Sequence, residues 1–151
     1  MKKRTVDFAP CIFPWLKVVA QKSDFIIRMA LIAYALKDND LIDEVSQKIS
    51  DIDGGYSTRS DVLRMLLHKP QTEIQQQALL NAIADKAEYT HQTAYGIVSK
   101  MKLSSEDYKK LEGFLKYKNE EIRKNVIDLL KKQNDKALSE SCVRLIASSK
   151  P

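Results

Sequence analysis

Apolar residues in this chain recur at steps of three and four, in short runs divided by polar breaks, from Phe25 to Ile146. That spacing lines one face of a helix, whereas a half-buried strand needs strict alternation. Phe25, Met29, Ile32 and Leu36 form one such stripe, and Ile26, Ala30 and Ala33 widen it. The helix over them is expected to be buried on most sides. Only four glycines and four prolines occur in 151 residues, too few for the many tight turns of an all-β domain. With 44% hydrophobic residues, the chain can bury a sizeable core. The expected fold class is all-α.

The breaks carry helix punctuation. Residues 1–13 read as an irregular lead-in, and Pro14 suits the first turn of a short helix through Trp15, Leu16, Val18 and Val19. Ser23 is a candidate cap for the next helix. Asp38-Asn39-Asp40 caps a third, with Ile42, Val45 and Ile49 on one face. Gly54-Gly55 marks the clearest loop. Val62, Leu63, Leu66 and Leu67 make a helix that stops at His68-Lys69-Pro70, because proline disfavours helical geometry in the residue before it. Thr72 and Glu73 start the next, with Ile74, Ala78 and Ala82 expected inside. Thr90 starts another, with Ala94, Ile97, Val98 and Met101. Ser104, with Asp107 three residues on, has the spacing of a capping box. Asn119 opens a helix with Ile122, Val126, Leu129 and Leu130. Asp135 caps the last, whose stripe is Leu138, Cys142, Leu145 and Ile146.

Laid over one another, these helices repeat. Leu66-Leu67 followed by Ile74, Ala78 and Leu79 matches Phe114-Leu115 followed by Ile122, Val126 and Ile127, each position 48 residues on (114 against 66). A period of that size marks an α-solenoid, in which stacked units supply the core that no unit has alone. The second unit, Leu111-Glu112-Gly113-Phe114-Leu115, a break, then Glu121-Ile122-Arg123 and Val126 to Leu130, resembles the HEAT-repeat superfamily. Residues 60–83 follow that pattern less closely, with Gln75 where the family usually has arginine. The resemblance covers residues 60–151. It implies a right-handed superhelix of antiparallel helix pairs and a curved scaffold for other macromolecules, with no specific activity. The expected organisation is one helical-repeat domain over 1–151, with N-terminal helices in 1–59 and HEAT-like repeats in 60–151. Ser148-Ser149-Lys150-Pro151 echoes His68-Lys69-Pro70, so the chain is expected to be a fragment of a longer array.

Known chemical motifs do not fit. His68 and His91 lack the spacing of a zinc helix, and no cofactor or metal is expected. His68 suits a helix C-terminus, and His91 is expected to make a surface hydrogen bond or simply to pack. Asp51-Ile52-Asp53-Gly54 fails as a calcium loop, because Tyr56 and Val62 stand where glycine and glutamate are needed. Gly96 and Gly113 fall inside helices, so no phosphate-cradling loop forms. Cys142 reads as core. Cys11 has no neighbouring histidine or cation cluster to activate it. Two isolated cysteines suggest a reducing cytoplasm. Pro10, Pro14 and Lys17 interrupt the apolar stretch behind Met1-Lys2-Lys3-Arg4, against a secretion signal, and no run is long enough to span a membrane.

Charge singles out one surface. The net charge is +5, and residues 76–151 hold 14 Lys/Arg against 10 Asp/Glu. Ten cations and six acids share the window from Lys100 to Lys132. Lys109, Lys110, Lys116, Lys118, Arg123, Lys124, Lys131 and Lys132 are the candidate face for nucleic acid or an acidic partner. The expected function is a non-enzymatic protein-interaction scaffold that holds a protein or peptide. The alternative is a nucleic-acid-binding module using the lysine-rich face. The side on which these lysines project separates the two.

Overall fold

The computed structural model describes residues 23–53 and 57–148. Every regular element in these segments is helical. The helices are α1 (Ser23–Leu36), α2 (Asn39–Ser46), α3 (Thr58–Leu66), α4 (Glu73–Ala82), α5 (Glu88–Val98), α6 (Ser105–Phe114), α7 (Glu120–Leu130) and α8 (Asp135–Ser148), with a 3-10 turn at Ile49–Asp51. The short helix expected after Pro14, the Gly54-Gly55 loop and Cys11 lie outside the described residues.

Local chemistry fixes the starts. The Asp38 carboxylate accepts from the amides of Asp40 and Leu41. The Thr72 hydroxyl accepts from Gln75, and the Asn119 side chain accepts from Glu121 and Ile122. Ser104 and Asp107 complete a reciprocal capping box. Each bond satisfies amides that the first turn leaves without a partner. One expected start and one expected cap differ: α5 begins at Glu88 behind Ala87, and α8, which does begin at Asp135, is capped by Asn134, accepting from Ala137. Helix α1 ends at Lys37, which adopts a positive φ of 54°.

Packing runs along the chain. Helix α1 packs on α2 and α3, α2 on α4, and α3 and α4 on α5. Helix α4 then packs on α6, and α6 on α7 and α8. The buried apolar residues form one cluster from Ile26 to Leu130. Helix starts recur within this order. Those of α6, α7 and α8 each lie 47 residues beyond those of α3, α4 and α5 (105 against 58, 120 against 73, 135 against 88). The recurring unit thus contains three helices, and its period is one residue shorter than the apolar pairs imply.

That single residue is visible in the burial. Ile122, Val126, Leu129 and Leu130 are buried in α7, and their counterparts 47 residues earlier are Gln75, Leu79, Ala82 and Ile83, all buried as well. Ile74, expected inside, is 40% exposed. The buried Gln75 takes its place: its amide donates to Asp43 at 2.7 Å, and its carbonyl accepts from the Gln71 amide at 2.8 Å. A similar rotation occurs in α1. Ile26, Met29, Ala30 and Ala33 are buried, whereas Ile32 and Leu36 are exposed along with Leu31 and Tyr34. This helix is therefore buried on one side, not on most. Cys142 is exposed on α8, where Ser141 is the buried residue.

Candidate functional site

The eight cations of the lysine-rich face are not all held alike. Lys110 turns inward and donates to the Gln77 carbonyl of α4 at 2.6 Å, and burial pulls its amine below the usual lysine range, against the attraction of Asp107. Lys132 donates to the backbone carbonyl of Ser99 at 2.7 Å. Lys109 pairs with Glu106 at 2.7 Å on its own helix. Lys116 and Lys118 are exposed in the α6–α7 connection, and Arg123, Lys124 and Lys131 are exposed on α7 or at its end. Lys109, Lys110 and Lys132 thus have partners within the fold, Lys109 and Lys132 while still exposed, and the other five cations are exposed as well.

Lys110 and Lys132 belong to a wider set of polar ties between helices. Asp107 is buried on α6, and its carboxylate accepts from Gln76 and Gln77 of α4, at 2.6 and 3.4 Å. It also accepts from the amide and hydroxyl of Ser104, each at 2.8 Å. Its charge, added to burial, raises the Tyr108 phenol above the usual tyrosine range. Arg64 of α3 donates to the Thr93 hydroxyl of α5 at 3.2 Å. Gln92 of α5 donates to Glu121 of α7 at 2.9 Å, which lowers the Glu121 carboxyl below its ordinary value with help from His91 and Lys124. Arg144 of α8 holds Glu112 of α6 through two bonds, at 2.7 and 3.1 Å. This pairing is the main reason the buried Glu112 carboxyl lies below the usual range.

The histidines divide. His68 is exposed just past the end of α3. His91 is only 1% exposed, not a surface group. Its Nδ1 lies 3.2 Å from the carbonyl of Asp85, and its Nε2 lies 3.5 Å from a Glu121 oxygen. Asp85 in turn accepts from Arg59 at 2.8 Å and from the Ala87 amide at 2.8 Å. Arg59 also reaches the Ile52 carbonyl, at 2.8 Å. These bonds join the loop after α2, α3, the α4–α5 connection, α5 and α7. Among the described residues, no three His, Cys, Asp or Glu side chains are grouped so as to hold a metal ion. None of the described helices is long and apolar enough to cross a membrane.

A concave surface lies elsewhere, between α2 with its 3-10 turn and α4. It is a groove of about 540 Å³ whose lining includes Gln47, Ile49, Glu73, Ile74, Gln77 and Asn81. That size suits a few side chains of a bound segment. Ile74 faces it because Gln75, not Ile74, fills the inner position. Periodicity missed this groove, since its apolar member looked like core. The usable signal is the cap: Thr72 accepts from Gln75, which fixes how the first turn of α4 is rotated.

No curated protein and no solved structure matches the chain. A family model does match it, over residues 1–151. The chain belongs to that family, described as a family of unknown function, DUF5724.

Proposed function

We infer that the protein is a non-enzymatic interaction scaffold, a short α-solenoid of HEAT-like repeats that holds a protein or peptide partner in the cytoplasm. The observation that carries this reading is the 40% exposed Ile74, set in the α2–α4 groove among amide and carboxylate side chains. An exposed isoleucine flanked by Gln77, Asn81 and Glu73 offers an apolar anchor with polar groups around it, the usual make-up of a peptide-binding surface. The 47-residue recurrence supports a stack rather than a closed bundle, and stacks present extended grooves. The test is a peptide-display selection against the full chain, counter-selected with Ile74→Arg. Enriched peptides should bind the wild-type chain and lose at least tenfold in affinity for the variant. No enrichment, or equal binding to both, would overturn the reading.

A second reading, nucleic acid on the lysine-rich face, rests on the exposed Lys116, Lys118, Arg123, Lys124 and Lys131. Lys116→Glu with Lys124→Glu should weaken duplex binding and flatten its salt dependence. Unchanged binding would remove it.

A further inference from the structure

A second groove lies between the end of α3 and the outer face of α5. Its volume is about 620 Å³, and none of its eleven lining residues is acidic. Arg64, His68, Lys69 and Lys100 line it, all of them exposed. The charges of Arg64, Lys69 and Lys100 are spread out. Arg64 is anchored at Thr93 on α5, and Lys100 lies seven residues further along the chain, about 10 Å at the helical rise. A single phosphate gathers cations around one point, so cations set this far apart suit several anions in a row. Tyr89, 55% exposed, stands on the same groove, and Ile97 and Met101 give it an apolar wall. Acids do occur nearby: Asp61 lines the adjoining hollow with Arg64, and Glu88 and Glu121 hold the Gln92 amide.

We propose that the α3–α5 groove binds single-stranded nucleic acid, with Arg64, Lys69 and Lys100 on successive phosphates and a base stacked on Tyr89. Cations tracking a backbone, with an aromatic face that accepts any base, are the general means of holding an unpaired strand. A duplex hides the base faces that Tyr89 offers to stack on. The site shares no residue with the α2–α4 groove or with the exposed lysines of α6 and α7, and stands independently of both functional readings.

The test is fluorescence anisotropy on the full chain, with a labelled single-stranded oligonucleotide over a salt series. Lys69→Glu with Lys100→Glu should weaken binding at least tenfold and reduce the salt slope by about 0.7 for each phosphate no longer neutralised. Tyr89→Ala should cost about tenfold. Gly96→Glu adds a carboxylate where a Cβ meets nothing within 4 Å, so it disturbs the groove's charge and not its packing. It too should weaken binding, with a thermal melt no lower than that of the wild type, since glutamate is the better helix former. The proposal is overturned by any of four results: no salt-sensitive binding at low salt; full binding by these variants; loss only when Lys116 and Lys118 are reversed; or pyrophosphate or a phosphopeptide bound as tightly as the strand.

Discussion

The unit α3–α5 and the unit α6–α8 begin their helices at matching positions, yet they are held together differently. Five residues of α5 are buried, Thr90, His91, Thr93, Ala94 and Val98, whereas Ser141 is the buried residue of α8. Helix α5 has α3 and α4 against it and ties to α7 through Glu121, whereas α8 has α6. A helix's burial in this chain thus reflects how many layers reach it as much as its own stripe. Ser57 and Ser104 precede α3 and α6, Thr72 and Asn119 precede α4 and α7, and Ala87 and Asn134 precede α5 and α8. Only the second unit uses all three of its side chains as caps. The unit with less burial has the fuller set of local bonds.

The sharpest way to break this comparison is through the cores. Leu79→Ala in α4 should destabilise by about 3 kcal/mol, a typical cost for a fully buried leucine. Ile146→Ala in α8, where Ile146 is 62% exposed, should stay within about 0.5 kcal/mol. Urea unfolding of the two variants checks the contrast, and equal losses would mean that α8 is covered after all.

Next in size is the inner position of α4. Gln75→Ile copies Ile122 from the second unit and adds apolar volume, but it removes the partner of the Gln71 amide and one donor to Asp43. The net effect is expected to be a loss of about 1–2 kcal/mol by denaturant titration. A gain would show that the two units are interchangeable at this site.

Caps come third. Ser104→Ala should cost about 1 kcal/mol. Ala87→Asn, at a residue already in the extended geometry of a cap (φ −81°, ψ 123°), should gain about 0.5–1 kcal/mol and bring the first unit closer to the second. Thermal melts of both variants and of the double variant test this.

The smallest effect concerns acid. Arg144 holds the folded Glu112 carboxyl below its unfolded value. The stabilisation is therefore complete above the unfolded value and is lost as pH falls through the lower folded one. Amides of α8 should exchange faster in acid, relative to those of α5, than they do at neutral pH. Arg144→Gln should remove most of that pH dependence, and an unaltered profile would assign it to other groups.

What could be read from the sequence follows how local the physics is. The caps at Asp38, Thr72, Ser104 and Asn119 involve partners two or three residues away, and the sequence alone placed them. The rotation of α4 was not legible, because a glutamine is buried only when an aspartate 32 residues away receives it. The fate of Lys110 and Lys132 was hidden for the same reason, each being tied 33 residues back. Cys142 looked like core on the assumption that every stripe meets a neighbour. Packing is one of the two expectations for His91 and is what the structure shows, but its full enclosure depends on layers that no local spacing reveals.

The recurrence of helix starts at 47 residues also bears on how such a chain can change length. A segment of that size, such as 58–104, carries α3, α4 and α5 and ends on Ser104, the residue that caps α6. In a stack of such units, duplicating it would preserve the packing between layers. An insertion inside a helix that is far from a whole number of turns rotates the residues after it away from their partners. On the stacked reading proposed above, growth or loss favours whole units, and the connections between helices are where smaller steps are best tolerated.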